Sequence, residues 1–118
     1  MSVIISIANL SKYYGRQKVL NDISLEVNTG EIIGYIGPNG AGKSTTIKTL
    51  IGMLPDFEGQ VNVLGMDIKT NAIEVKKRIS YVAENASLYE VLTPNEYLNF
   101  IGRLYDMEDA QIQKRAAE

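Results

Sequence analysis

Residues 37–44 read Gly37-Pro38-Asn39-Gly40-Ala41-Gly42-Lys43-Ser44, a G-x-x-x-x-G-K-[ST] string. Glycines take backbone conformations closed to other residues and let the chain approach a ligand with no Cβ in the way. The context expected of such a string is also present, with a strand before it and a helix after it. Ile32 to Ile36 is a short, nearly all-apolar run of the kind buried on both faces of a parallel sheet. After the loop, Ile47, Leu50, Ile51 and Leu54 recur at helical spacing until Pro55, which predicts a helix over residues 44–53. Amides from about Gly40 to Thr45 can then point into one concavity, at the positive end of a helix beginning near Lys43. Lys43 is placed to reach β- and γ-phosphates, and the Ser44 hydroxyl to ligate Mg²⁺.

The remaining periodicity adds to this core. Val3, Ile4, Ile5 and Ile7 read as a β-branched strand, and Ile23, Leu25 and Val27 alternate with polar residues as a half-buried second one. An antiparallel layer is expected from residues 3–8 and 19–27, with Asn28, Thr29 and Gly30 as a turn. Val61 and Val63 mark another strand, residues near 71–78 a polar helix, and Ile79 to Ala83 a further buried strand. Thr93, Pro94 and Glu96 fit a capping box with proline at the first helical position. Tyr97, Leu98, Ile101, Leu104 and Tyr105 then form an apolar face read as core, and a last helix begins near Glu108.

Composition removes several classes of function. The 118 residues contain neither cysteine nor histidine, which excludes a disulfide framework, a thiolate nucleophile, an imidazole-based triad and any Cys- or His-ligated metal. Twelve basic and fourteen acidic residues give a net charge of −2 without segregation of sign, which disfavours nucleic acid as a partner. The longest uncharged runs, residues 1–11 and 32–42, fall short of the roughly 18 residues that span a bilayer, and no secretory signal precedes Lys12.

The residues around the loop carry a family resemblance. Leu10-Ser11-Lys12-Tyr13-Tyr14-Gly15, Val19-Leu20-Asn21-Asp22-Ile23-Ser24-Leu25 and Gly30-Glu31-Ile32, leading into the glycine-rich string, closely resemble the ATP-binding cassette (ABC) transporter ATPases. Ile79-Ser80-Tyr81-Val82-Ala83-Glu84 and Leu88-Tyr89 to Leu92-Thr93 extend the resemblance to about residue 105. The wording around Glu84 and Tyr97-Leu98 is most similar to drug-exporter-type members.

The resemblance implies an α/β fold, a P-loop NTPase core with an antiparallel β layer, ending before the signature and Walker B motifs. Residues 1–83 would form the nucleotide-binding core, and 84–118 the Q-loop region and start of a helical subdomain. ATP and Mg²⁺ are the implied ligands, with Asn39, Gly40, Ala41, Gly42, Lys43, Ser44 and Thr45 on the phosphates. Tyr14 matches the aromatic that stacks on adenine, with Tyr13 the fallback and a packed turn aromatic the other reading. Val19 matches the small apolar residue beside the ribose, or is plain core. Glu84 falls where the family usually has the Q-loop glutamine. A carboxylate there keeps metal contact, shared with Ser44, but loses the amide's hydrogen-bond donor; a solvated loop acid is the other reading. The implied partners are a membrane-spanning transporter subunit, met through the loop after Glu84, and a second nucleotide-binding subunit. The implied location is cytoplasmic, peripheral to the inner face of the membrane. No aspartate here ends a Walker B-like apolar run and no LSGGQ-like string is present, so the chain reads as an N-terminal fragment without hydrolytic machinery. The alternatives are a small P-loop kinase, a soluble ABC protein of DNA repair or translation, and a non-catalytic phosphate-binding module.

Overall fold

A computed structural model of the chain describes residues 2–38, 40, 42–85 and 87–118. It divides into two compact units, Met1–Tyr81 and Val82–Glu118. The first is built on strands β1 (Val3–Tyr14), β2 (Gln17–Asn28), β3 (Glu58–Val63) and β4 (Met66–Asp67) with helices α1 (Lys43–Leu50) and α2 (Ile68–Lys76). The strands form one antiparallel sheet in the order β2-β1-β3-β4.

β1 is central, and its register is not regular. Ile7 pairs with Leu25, Leu10 with Ile23 and Lys12 with Leu20, so one extra residue is inserted first in β1 and then in β2. The inserted turns fall at Asn9 and Asp22, which have φ of 54° and 52°. Both residue types tolerate the left-handed region. The paired bulges are held together by the Asn9 side-chain amide, which donates to Asp22 Oδ1 at 2.8 Å, and by the Asp22 N–H, which donates to Ser11 Oγ at 2.9 Å. A β-bulge re-aims the strand that carries it. Here the neighbouring strand answers with Gly59, whose φ is 96° and whose Cβ, if present, would lie 2.3 Å from the Asn9 carbonyl oxygen.

The core lies on one sheet face and joins Ile7, Leu10, Leu20, Phe57, Val61, Val63, Ile68 and Val75. α1 meets it through Leu50, and Thr46 and Thr49 of the same helix are both buried. Their hydroxyls are satisfied by the helix itself, bonding the carbonyls of Gly42 and Thr45 at 2.9 and 2.8 Å. That removes the desolvation cost of a buried hydroxyl. α1 ends three residues before Met53, the end that the apolar spacing suggests. Gly52, at φ 79°, ends it in a Schellman arrangement, with Gly52 N–H on the Thr49 carbonyl and Met53 N–H on the Lys48 carbonyl. Asn28 and Glu31 close the turn after β2. The Asn28 backbone N–H holds the Glu31 carboxylate below its ordinary pKa, so this turn contact is present above the usual carboxylate range and is lost as pH falls through the lowered value.

In the second unit, α3 (Pro94–Leu104) and α4 (Asp109–Ala116) form a helical hairpin. Thr93 caps α3 as expected, accepting from Glu96 N–H at 3.2 Å while the Glu96 carboxylate accepts from Thr93 N–H at 2.8 Å. The helices approach closely because Gly102 has no side chain: a Cβ there would lie 2.6 Å from Ile112 Cγ1.

Two expectations need correction. Ile32 to Ile36 and Ile79 to Ala83 are not strands, and no parallel pairing exists among the described residues. Ile32 is 100% and Ile36 95% exposed. An all-apolar parallel strand needs a hydrogen-bonded neighbour on each edge and cover on each face. Neither segment finds them, because every strand of the one sheet is supplied by the antiparallel layer. The apolar face of α3 is likewise not core: Leu98, Leu104 and Tyr105 are exposed, and only Gly102 of that helix is buried.

Gly59→Ala is expected to destabilise the first unit by about 2–4 kcal/mol, since it adds both left-handed strain and a backbone clash. Gly65→Ala, at positive φ with open space around it, should cost only about 1–2 kcal/mol. Urea unfolding of the two variants checks the ranking.

Candidate functional site

The glycine-rich loop is fixed at its helical end. Gly42 is the N-cap of α1 with φ 91° and ψ 9°, and no side chain caps the helix. The first intrahelical bond is Thr46 N–H to the Gly42 carbonyl at 2.9 Å. The amides of Lys43, Ser44 and Thr45 therefore have no acceptor within the helix, and the helix dipole adds positive potential at the same end. Gly40 is also left-handed, at φ 84°. Asn39 and Ala41 lie outside the described residues.

What sets the loop in place is a contact with the hairpin. A Cβ on Gly42 would lie 2.6 Å from Leu20 Cδ2 and 3.0 Å from the Val19 carbonyl oxygen. Val19 is half-buried at the slip in register where Lys12 pairs with Leu20 and Tyr13 with Lys18. The residue matched to the ribose side of the site thus stands against the phosphate loop. Thr46 was not among the residues read from the sequence. Its hydroxyl donates to the Gly42 carbonyl and lies 3.2 Å from the Tyr35 hydroxyl. The sequence shows only a threonine near the start of a predicted helix; its burial and its contact with Tyr35 arise from the fold.

Lys43 turns back across the loop, its ammonium donating to the carbonyl of Gly37 and lying 3.4 Å from that of Pro38. A cation at this point is near the open amides, where an anion's charge is best met. Ser44 is exposed on the first turn of α1, and its hydroxyl has no hydrogen bond to a described side chain or backbone group. Thr45 is half-buried and its carbonyl accepts the Thr49 hydroxyl.

Tyr14 ends β1 beside Gly15, a left-handed turn residue, and is 49% exposed. Tyr13, the fallback, has the Lys18 ammonium 5.4 Å from its ring centroid. Glu84 is exposed in a turn of the second unit. Among the described residues no three acidic side chains converge on a metal site.

Gly42→Ala is expected to weaken binding of tripolyphosphate by about tenfold or more, because its left-handed strain and the Leu20 clash both displace the open amides. Titration calorimetry checks it, with circular dichroism to confirm that the sheet remains.

A model of the ABC transporter family matches residues 20–118. The chain is 39% identical over 110 residues to the linearmycin resistance ATP-binding protein LnrL of Bacillus subtilis, covering 93% of this chain and 35% of that one. It is 39% identical over 98 residues to the bacitracin transport ATP-binding protein BcrA of Bacillus licheniformis, covering 83% of this chain and 32% of that one. A solved structure of the ATP-binding subunit of an ABC transporter superposes with a TM-score of 0.80 at 34% identity, over 91% of this chain and 45% of its own. The chain thus spans about a third of the length of these curated relatives. That likeness also establishes the α/β P-loop NTPase fold class, although the parallel strands are not formed among the described residues. With its phosphate loop docked on the β1–β2 hairpin and the family model running through both units, the chain belongs to the ABC transporter family.

Proposed function

We propose that this chain carries the phosphate-loop part of an ATP site in the nucleotide-binding subunit of a drug-exporter-type ABC transporter, which couples ATP binding and hydrolysis to export. The observation that carries the reading is the close approach of Gly42 to Val19 and Leu20, which brings the nucleotide-side hairpin and the open amides of α1 into one place. The names of the relatives, resistance to linearmycin and transport of bacitracin, support the export class.

In this reading Gly40, Gly42, Lys43, Ser44 and Thr45, with Asn39 and Ala41, hold the phosphates. Val19 lies beside the ribose and Tyr14 stacks on the base. Mg²⁺, when bound, screens the β- and γ-phosphate charge, with Ser44 as its protein ligand and Glu84 at the Q-loop position. The backbone amides and Lys43 orient the triphosphate, and hydrolysis requires in addition a group that positions the attacking water. Residues 1–83 act as the nucleotide core and 84–118 as the Q-loop region and the start of a helical subdomain.

The loop after Glu84 is proposed to meet the membrane-spanning subunit, holding the protein at the cytoplasmic face of the membrane. Its apolar character supports this. Tyr89 packs edge-on to Phe100 with centroids 5.8 Å apart, Leu88 and Val91 are exposed beside it, and a hollow of about 320 Å³ opens between Tyr89, Val91, Leu92 and Phe100. Among the described residues no helix is long and apolar enough to cross a membrane. A second nucleotide-binding subunit completes the proposed assembly.

Lys43→Ala is expected to lower affinity for both ATP and tripolyphosphate by about tenfold, the scale of a charge-assisted hydrogen bond. Tyr14→Ala is expected to weaken ATP by about fivefold or more while leaving tripolyphosphate unchanged, since only ATP carries a base to stack. Phosphate release by the purified chain should stay at background. Turnover abolished by Lys43→Ala would show a complete hydrolytic site instead.

A further inference from the structure

Lys12 is a buried cation outside the residues assigned above: it is only 6% exposed although it lies in a strand next to a surface turn. Burial of an ammonium is costly unless it is paired or hydrogen-bonded. No carboxylate pairs with it among the described residues. Instead it donates to the backbone carbonyl of Asp56, in the segment between α1 and β3, and its Nζ lies 5.3 Å from the centroid of the Tyr14 ring. That distance is within reach of a cation–π attraction. Lys12 and Tyr14 occupy alternate positions of β1, so both project from the same face of the strand. Lys12 also pairs with Leu20, the residue against which Gly42 packs.

Lys12 therefore meets the base-side ring and the segment that follows the phosphate-loop helix through its side chain, and pairs through its backbone with the strand under the phosphate loop. We propose that Lys12 is a positioning residue that fixes the Tyr14 ring for stacking on a nucleobase. The proposal rests on the reading of Tyr14 as the base stacker. Lys12 holds the ring from one side through its charge, while Tyr14, half exposed, keeps surface for a flat ligand. The Asp56 carbonyl holds the ammonium in turn, so the ring's orientation is referred to the same framework as the phosphate loop. A free tyrosine at a hairpin end would lose rotamer freedom on stacking, and a ring already held loses less.

The test compares ATP with tripolyphosphate, which carries the charge but no base, by calorimetry on the purified chain. The variants are Lys12→Met, Tyr14→Ala and the double variant, with circular dichroism and thermal melting as folding controls. Lys12→Met is expected to weaken ATP by about fivefold, the scale of one cation–ring contact, and to change tripolyphosphate by less than about twofold. In the Tyr14→Ala background it should add no further loss. Equal losses for both ligands, or the same fivefold loss after Tyr14 is removed, would overturn the proposal in favour of a general charge or structural role. A base-specific loss in Tyr14→Ala with none in Lys12→Met overturns the role of Lys12 alone. No loss in Tyr14→Ala overturns the stacking reading itself. Lys12→Gln, which keeps a donor for the Asp56 carbonyl, makes the same comparison if the methionine variant does not fold.

Discussion

The close packing of Gly42 on β2 is the contact on which the site depends. With no Cβ at that position, the loop settles onto Val19 and Leu20, and a left-handed turn launches α1 with its first amides open. Any side chain there would fail twice, once in the backbone and once against Leu20. The same strand pairs Leu20 with Lys12, which lies beside Tyr14. Phosphate loop, Val19 and Tyr14 are thereby referred to one strand pair.

That strand pair is itself irregular, and the irregularity is accommodated rather than tolerated. The compensating bulges at Asn9 and Asp22 are tied to each other by side-chain hydrogen bonds, and Gly59 on β3 makes room for the displaced carbonyls. Three residues far apart in sequence thus answer one local distortion. Behind them, the Asp56–Phe57 segment is drawn in from two sides. Lys12 donates to the Asp56 carbonyl, and Lys69 donates to that of Phe57 at 2.8 Å while lying 4.3 Å from the Phe57 ring. These contacts hold the segment that leads from α1 into β3.

The second unit follows a different economy of contacts. Its helical hairpin depends on the fit of Ile112 over Gly102, and most of the apolar face of α3 remains at the surface. Its aromatic group, Tyr89 with Tyr97 and Phe100, stabilises the loop after Glu84 by ring packing and not by burial in a core.

The sequence by itself determined the local features: the phosphate loop, the helix after it, the capping box at Thr93, the antiparallel strands and the family. Each is encoded within a few residues, by glycine conformations, by a cap or by alternation, and needs no distant partner to be legible. Tertiary structure alone decided that 32–36 and 79–83 are unpaired, that α3 keeps its apolar face exposed, and that Lys12 is buried beside Tyr14. Apolar runs record only a capacity for burial, while pairing requires a neighbouring strand of suitable geometry. Lys12 reads as an ordinary surface lysine because its partners are a backbone carbonyl 44 residues away and a ring one turn of the pleat along, brought together only when β1 settles against the chain leading into β3.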